Sequence, residues 1–266
     1  FGSWKKATAP QLTYTAPKDV QYSQINFIDT PNAVQSEIAL VNLSNLKMTD
    51  KEYFSVLLAN QILGGGGEGR LFLNLREKHG WTYGAYSSIG SGKYISKFRS
   101  SASVRNTVTD SAVVEFFNEL KRIKTDLVSE EDLRNAKAKY VGNFVMQIEK
   151  PSTIAGYALN KETQGLPEDF YENYIKNINA VTAEDIKNAA NKYFLSDVLP
   201  GLEAMSKREK LPIFYFDKYG NPTEKPEVKK PVPAGVTAQT VLNNYINSIG
   251  GEKAVKNVKT LAVMSA

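Results

Sequence analysis

Residues Ile62–Ser87 read ILGGGGEGRLFLNLREKHGWTYGAYS, and this stretch decides how the whole chain is interpreted. An apolar pattern with helical spacing leads into it and is broken by the run Gly64–Gly67. A second helix is predicted over Arg70–Lys78, with Gly80 as its left-handed C-cap. The spacing therefore predicts a helix, a glycine turn, a second helix, a tight turn and a strand in immediate succession.

Arg76 and Tyr83 stand on either side of Gly80, in the last helical turn and in the strand that follows. If Gly80 adopts φ > 0, the strand folds back beside that turn, and both side chains can project to one spot. A guanidinium offers several N–H donors and a phenol offers one O–H, which suits gripping peptide carbonyls. A tyrosine aimed at a carbonyl under attack can also donate to the developing oxyanion.

Each of these residues also has a plain structural explanation. The glycines can form a flexible break, and Arg76 can be a cation that the helix dipole favours at a C-terminus. Tyr83 can be an ordinary strand aromatic, and His79 can be a surface residue beside the cap. Residue by residue, the sequence leaves these alternatives open.

Hydrophobic periodicity divides the chain into strands and helices. Short apolar or alternating runs predict four strands, at Gln24–Asp29, Ser36–Leu43, Trp81–Ile89 and Tyr94–Val104. Apolar residues at helical spacing predict seven helices, at Asp50–Leu63, Arg70–Lys78, Thr109–Lys124, Glu130–Ile148, Ser152–Glu162, Pro167–Ile178 and Ala183–Tyr193. This order predicts an α+β fold in which an antiparallel or mixed sheet is backed by helices on one face.

Shifts in composition divide the chain into four segments. Residues 1–20 are predicted to be a linker from a preceding half, and residues 21–216 are predicted to be the folded domain. Residues 217–236 begin with turn residues and continue rich in Pro, Lys and Glu, which predicts an exposed linker. A helical pattern resumes in residues 237–266, which we interpret as the start of a further C-terminal module.

Composition excludes several classes of function. The chain has no cysteine, which excludes disulfides, thiolate metal sites and a cysteine nucleophile. Its formal charge is +5, but the lysines are scattered rather than clustered with aromatics, so no nucleic-acid binding is predicted. No apolar stretch reaches about eighteen residues, so no membrane span is predicted. The first residue is Phe1 rather than Met, and we expect the chain to be part of a longer protein.

The combined pattern resembles the C-terminal, non-catalytic half of the pitrilysin/insulinase family of zinc metallopeptidases. The matching signature is a glycine run followed by Arg70-Leu71-Phe72, Leu75-Arg76-Glu77-Lys78, Gly80 and Tyr83. The resemblance extends from about Ile25 to Tyr193, and the junction Phe1–Lys5 resembles the end of a first half. It implies a metallopeptidase-like half of a clamshell, in which Arg76 and Tyr83 contact the substrate backbone.

The same resemblance implies that zinc is bound elsewhere. The family holds its metal on the inverted helix motif His-x-x-Glu-His, and the corresponding helix here, Tyr53–Leu63, offers only Asn60 and Gln61. With His79 as its one histidine, this chain is predicted to bind no metal or cofactor and to hydrolyse no peptide alone. The complete enzyme would bind Zn in a half supplied upstream or by a partner subunit, and peptides would be its substrates.

Two hypotheses from other functional classes stay open. The fold also resembles core subunits of a respiratory complex that have lost proteolysis, which would make the chain a structural scaffold. A module that binds extended peptides without a zinc partner is the third possibility. The presence of both Arg76 and Tyr83 favours the enzyme half. Bacterial relatives with appended tails imply export to the periplasm or cell envelope.

The sequence departs from this family after Tyr193. Relatives have a very apolar strand at that point, whereas here Leu195–Asp197 runs directly into a stretch beginning at Val198. We therefore expect either that Leu211–Phe216 replaces the strand or that residues are missing between Asp197 and Val198.

Overall fold

The computed structural model describes residues 25–30, 32–194, 213–217 and 220–224, with short stretches at 2–3, 5, 7–8, 13–18, 239–240, 243–244 and 247. The chain divides into two compact units, Phe1–Thr223 and Glu224–Ala266. All elements described below belong to the first unit. The predicted linker at 1–20 lies partly, and the linker at 217–236 and the module at 237–266 lie mostly, outside the described residues, and their boundaries remain predictions.

In the first unit, two strands, two helices, two strands and five helices follow one another in the predicted order, and two short strands come after them. Its strands are β1 (Ile25–Ile28), β2 (Gln35–Ser44), β3 (Thr82–Ile89), β4 (Ser96–Arg105), β5 (Ile213–Phe216) and β6 (Pro222–Thr223). Its helices are α1 (Tyr53–Gly64), α2 (Arg70–Phe72, continuing as a π-helix over Leu73–Lys78), α3 (Thr109–Thr125), α4 (Glu130–Ile148), α5 (Pro151–Gln164), α6 (Tyr174–Ala180) and α7 (Ala183–Tyr193). The predicted α+β class is confirmed.

The larger sheet has the strand order β2–β4–β3, and both pairings are antiparallel. Side chains along β4 alternate, so that Phe98, Ser100, Ala102 and Val104 are buried while the residues between them are partly exposed. Helices α1 and α3 pack against the buried face. Among the described residues, helices therefore cover one face of the sheet, as predicted, and the other face is exposed.

A second small sheet has the order β1–β5–β6. Ile25–Ile28 pairs in parallel with Ile213–Phe216, so a strand does form within the stretch expected to replace the missing apolar strand. The Gly220 N–H donates to the Asp217 carbonyl at 3.0 Å, and Gly220, at φ 83°, lies just before β6. The other expectation, that residues are missing after Asp197, concerns positions outside the described residues and stays a prediction.

Local sequence signals set the ends of several helices. The Ser129 hydroxyl caps α4 by accepting the Asp132 N–H at 3.0 Å. Thr182 and Asp185 form the predicted capping box of α7. The predicted helix over Pro167–Ile178 is wrong in its first half, because residues 167–173 form separate turns and α6 begins only at Tyr174.

The reason for that error is a cluster of aromatic rings. Their spacing along residues 170–174 imitates a helix, but the rings are held by contacts with three other helices. Phe144 stacks on Tyr174 with ring centroids 4.4 Å apart, and Tyr157 stacks on Tyr171 at 3.9 Å. The cluster consists of Tyr53, Phe54, Tyr140, Phe144, Tyr157, Phe170, Tyr171 and Tyr174. It joins α4 and α5 to α1 and α6.

The phenol of Tyr53 makes this cluster sensitive to alkaline pH. Burial raises the pKa of Tyr53 to about 12, with a smaller contribution from Tyr140, while a hydrogen bond with Ser91 acts in the opposite direction. The unfolded chain loses this proton near pH 10, but the folded protein keeps it, so the contribution to stability present below pH 10 is lost as pH rises to about 12.

We therefore expect Tyr53→Phe to unfold less readily than wild type at high pH. The pKa difference corresponds to on the order of 3 kcal/mol in the free energy of unfolding. Wild type should lose this stability between about pH 10 and 12, and the variant should keep it. Urea unfolding at a series of pH values measures this. Parallel stability curves for the two proteins across that range would contradict the assignment.

Candidate functional site

A β-bulge in β3 sets the direction of Tyr83. Thr82 pairs with Val104 and Ala85 with Ala102, so Tyr83 and Gly84 together oppose one residue of β4. Thr82 and Ala85 both lie buried against the core, whereas Tyr83 is 85% exposed. The extra residue thus turns Tyr83 out of the sheet without moving its neighbours from the core, which is a common use of a bulge.

The hydroxyl of Thr82 stabilises the bulge. It accepts the Gly84 N–H at 3.1 Å and lies 2.7 Å from the carbonyl oxygen of Ser103 on the neighbouring strand. A Cβ atom at Gly84 would lie 2.6 Å from the ring of Tyr86, so glycine leaves room for that ring. The sequence Thr-Tyr-Gly-Ala therefore specifies both the bulge and the aromatic surface around it.

Helix α2 ends in a wide turn that brings Arg76 toward the strand. The His79 N–H donates to the Asn74 carbonyl at 3.1 Å, which is the i→i+5 bond of a π-helix. Gly80 has φ 62°, as expected for its role as C-cap, and its N–H donates to the Arg76 carbonyl at 3.0 Å. Trp81 then donates back to Leu75 at 3.0 Å, so the chain reverses tightly into β3.

Arg76 and Tyr83 meet across this reversal. The guanidinium carbon of Arg76 lies 5.9 Å from the centre of the Tyr83 ring, within cation–π distance. Both side chains are exposed. Among the residues that the structure describes, neither the guanidinium nor the phenol hydroxyl has a hydrogen-bond or ion-pair partner. The two predicted site residues are therefore neighbours with their donors free.

A shallow depression opens on the exposed sheet face beside the pair. Its lining consists of Gln35, Thr82, Tyr83, Gly84, Tyr86 and Ser103. None of these side chains carries a charge at neutral pH, and two of them present aromatic rings. The depression can therefore receive an uncharged group next to the Tyr83 hydroxyl.

One residue of this region, His79, differs from the sequence prediction, and another, Asn74, was not predicted. His79 is not a simple surface residue: it is half-buried, and its ring stacks on Trp81 with centroids 4.0 Å apart. Asn74 is buried between α2 and α3 and was not singled out. The one signal for it was a polar residue between two leucines, Leu73 and Leu75.

The residues present do not fit a zinc ion. Across the described part of the chain, no group of three or more His, Cys, Asp or Glu side chains is placed to hold a metal. On α1, where the sequence resemblance places the zinc motif, Asn60 donates its amide to the Ser87 carbonyl at 3.3 Å and serves packing.

Comparison with known protein families gives the affiliation of the chain. Residues 1–140 match the family described as the peptidase M16 inactive domain. The chain belongs to this family. The matched residues include the helix-backed sheet and the reversal at Gly80.

Two curated bacterial relatives are similar in sequence. The Bacillus subtilis protein named probable inactive metalloprotease YmfF is 28% identical over 193 residues, which is 72% of this chain and 44% of that protein. A Rickettsia felis protein named uncharacterized zinc protease is 32% identical over 155 residues, 55% of this chain and 35% of the relative. The chain therefore spans less than half the length of these relatives.

A solved structure supports the fold. The peptidase M16 inactive domain from Pseudomonas fluorescens superimposes with a TM-score of 0.64 at 24% identity, covering 71% of this chain and 45% of that one. At this level of identity the likeness concerns the fold. The M16 inactive-domain architecture is thus supported by sequence and by structure.

Proposed function

We propose that this M16 inactive domain is the substrate-binding half of a zinc metalloendopeptidase. In this role it holds an extended peptide for hydrolysis at a zinc site in another half of the same chain or in a partner subunit. The observation that carries the proposal is the pairing of Arg76 with Tyr83: both side chains are exposed, and the Arg76 guanidinium carbon lies 5.9 Å from the centre of the Tyr83 ring. Neither donor has a protein partner among the described residues, so both are available to a substrate.

The chemistry of the pair suits peptide carbonyls. The Arg76 guanidinium can donate two N–H groups to one carbonyl oxygen or to two neighbouring ones. The Tyr83 hydroxyl can donate to the carbonyl under attack, where negative charge develops, and so stabilise the transition state more than the bound substrate. The uncharged depression beside Tyr83 then suits an uncharged substrate side chain.

A proteolytically inactive scaffold is the alternative. The name of the Bacillus subtilis relative favours it, since that protein is described as a probable inactive metalloprotease. The two functions differ in what the exposed pair does: a scaffold has no use for the donors of Arg76 and Tyr83, whereas the substrate-binding half requires them.

The test is Arg76→Ala in the complete protein together with its zinc-bearing half. Loss of a charged hydrogen bond to substrate is expected to raise KM about tenfold or more for an internally quenched extended peptide. Arg134→Ala is the matched control, because Arg134 is an exposed arginine on α4, remote in sequence from the pair. It should keep the wild-type KM.

Zinc content and thermal midpoint should be the same in both variants, since Arg76 is exposed and supports no core contact. A wild-type KM and kcat for Arg76→Ala would exclude the substrate-binding role and favour the scaffold. A complete protein that hydrolyses no peptide at all, with or without the substitution, would favour the scaffold as well.

A location in the periplasm or cell envelope is proposed on the family resemblance. A structural neighbour, the periplasmic protease PqqL from Escherichia coli, is 12% identical with a TM-score of 0.54 over 65% of this chain and 19% of that one. Within the described residues, none of the helices is long and apolar enough to cross a membrane. Fractionation of cells that express the full-length protein tests this location.

A further inference from the structure

Helix α2 buries an asparagine against α3. The Asn74 amide nitrogen donates to Glu115 Oε2 at 2.7 Å and to Glu119 Oε1 at 2.8 Å. Asn74 and Glu119 are only 8% and 7% exposed. The two glutamates stand one helical turn apart and would repel each other without the amide between them. Both amide hydrogens are thus used to fasten α2 to α3.

The same residue lies in the first turn of the π-helix, directly after its first residue Leu73. The Asn74 carbonyl accepts the His79 N–H at 3.1 Å. The turn that this bond closes has one residue more than a turn of a regular α-helix. The side chain of Asn74 therefore fixes the helix to α3 at the point where its main chain widens. Arg76 lies two residues further on, inside the widened turn.

The width of this turn decides where Arg76 points. In a regular α-helix each residue rotates about 100° around the axis, so removing the extra residue would rotate Arg76 relative to β3. A π-turn is less favourable than an α-turn and persists where surrounding contacts support it, often at functional sites. The bonds from Asn74 to Glu115 and Glu119 are such contacts.

We propose that Asn74 is a positioning residue for substrate binding. Its bonds to the two glutamates hold the π-turn that places the Arg76 guanidinium beside Tyr83. The inference rests on the proposed function of Arg76, but its structural part can be tested without any activity. The proposal adds a buried polar side chain to a site whose other two residues are exposed.

The first experiment is amide hydrogen exchange on the full chain carrying Asn74→Leu. The amides of His79, Gly80 and Trp81 donate to carbonyls of the widened turn, so their exchange should accelerate about tenfold or more. Core amides of α1 and α3 should exchange at wild-type rates. Uniform acceleration across these helices would indicate a merely structural role and overturn the inference.

Asn118→Leu is the matched control. Asn118 is an exposed asparagine of α3 that donates to the same Glu115 at 3.2 Å and lies on α3 rather than on the π-helix. It should leave the exchange of residues 79–81 unchanged. Glu119→Gln keeps a carbonyl acceptor for Asn74 and should also stay near wild type, whereas Glu119→Leu should behave like Asn74→Leu. Equal effects of all four substitutions would contradict the proposal.

The second experiment is a double-mutant cycle in the complete protein with the internally quenched peptide. Asn74→Leu should raise KM about as much as Arg76→Ala and add nothing further in the Arg76→Ala background. Additive effects would overturn the inference while leaving the proposed function intact. An Arg76→Ala protein with wild-type KM would instead refute the proposed function, and hydrogen exchange would still decide whether Asn74 holds the turn.

Discussion

Replacing Tyr83 with phenylalanine is expected to lower kcat for peptide hydrolysis by about a hundredfold in the complete protein. The substitution removes one hydroxyl from a side chain that is 85% exposed and keeps the ring that contacts Arg76. If the hydroxyl donates to the carbonyl as it gains charge, its loss weakens the transition state and leaves ground-state binding nearly unchanged. KM should therefore change much less than kcat.

Tyr94→Phe provides the control for this measurement. Tyr94 is also exposed, and it has a neighbouring cation, because Lys93 Nζ lies 6.0 Å from its ring centre. It lies in the loop between β3 and β4, outside the Arg76–Tyr83 pair. Steady-state kinetics and zinc analysis should give wild-type values for Tyr94→Phe. An unchanged kcat for Tyr83→Phe would show that the Tyr83 hydroxyl does not stabilise the oxyanion.

Gly64→Ala is expected to have the largest effect on folding stability, a loss of about 3 kcal/mol. A Cβ atom at Gly64 would lie 2.5 Å from the Ser87 backbone nitrogen and 2.8 Å from its Oγ. The end of α1 packs directly on β3 at this point, and a strand backbone has no low-energy way to retreat. For a domain of this size the thermal midpoint should fall by roughly 6–12 °C.

Gly67→Ala tests whether this effect is specific to the position. Gly67 belongs to the same glycine run, but it is exposed, and the nearest atom to an added Cβ is Phe72 Cε1 at 3.9 Å. Its substitution should change stability by no more than about 0.5 kcal/mol. Comparable losses for Gly64→Ala and Gly67→Ala in urea unfolding would mean that the run acts as a flexible break, the plain alternative left open by the sequence.

The sequence could predict the features that depend on short-range rules. Gly80 predicted the reversal that brings Arg76 to Tyr83, because only a left-handed residue ends a helix this tightly. Ser129 and Thr182 predicted the starts of α4 and α7 for a similarly local reason. The roles of Arg76 and Tyr83 in substrate binding remain predictions, since they depend on a partner half.

Two of the features that the sequence could not predict involve one extra residue each. The π-helix at Asn74 and the bulge at Gly84 both insert a residue without disturbing the hydrophobic pattern on either side. The hydrophobic pattern shows which residues face the core. It does not show where tertiary contacts support one extra residue in a helical turn or in a strand. A third error has another cause: Phe170 and Tyr171 have helical spacing relative to Tyr174, but they lie in turns and stack on Phe54 and Tyr157 of other helices.

The bulge in β3 also bears on how proteins of this kind diverge. Because it turns Tyr83 outward while Thr82 and Ala85 fill the core, a change at Tyr83 alters the exposed surface, whereas a change at Thr82 or Ala85 alters the packing of the fold. A duplicated gene can therefore lose the tyrosine through a single nucleotide change and still encode a well-folded subunit. Under the proposed function, such a subunit would no longer assist proteolysis but could still take part in an assembly. The reverse substitution would restore the hydroxyl to an intact fold.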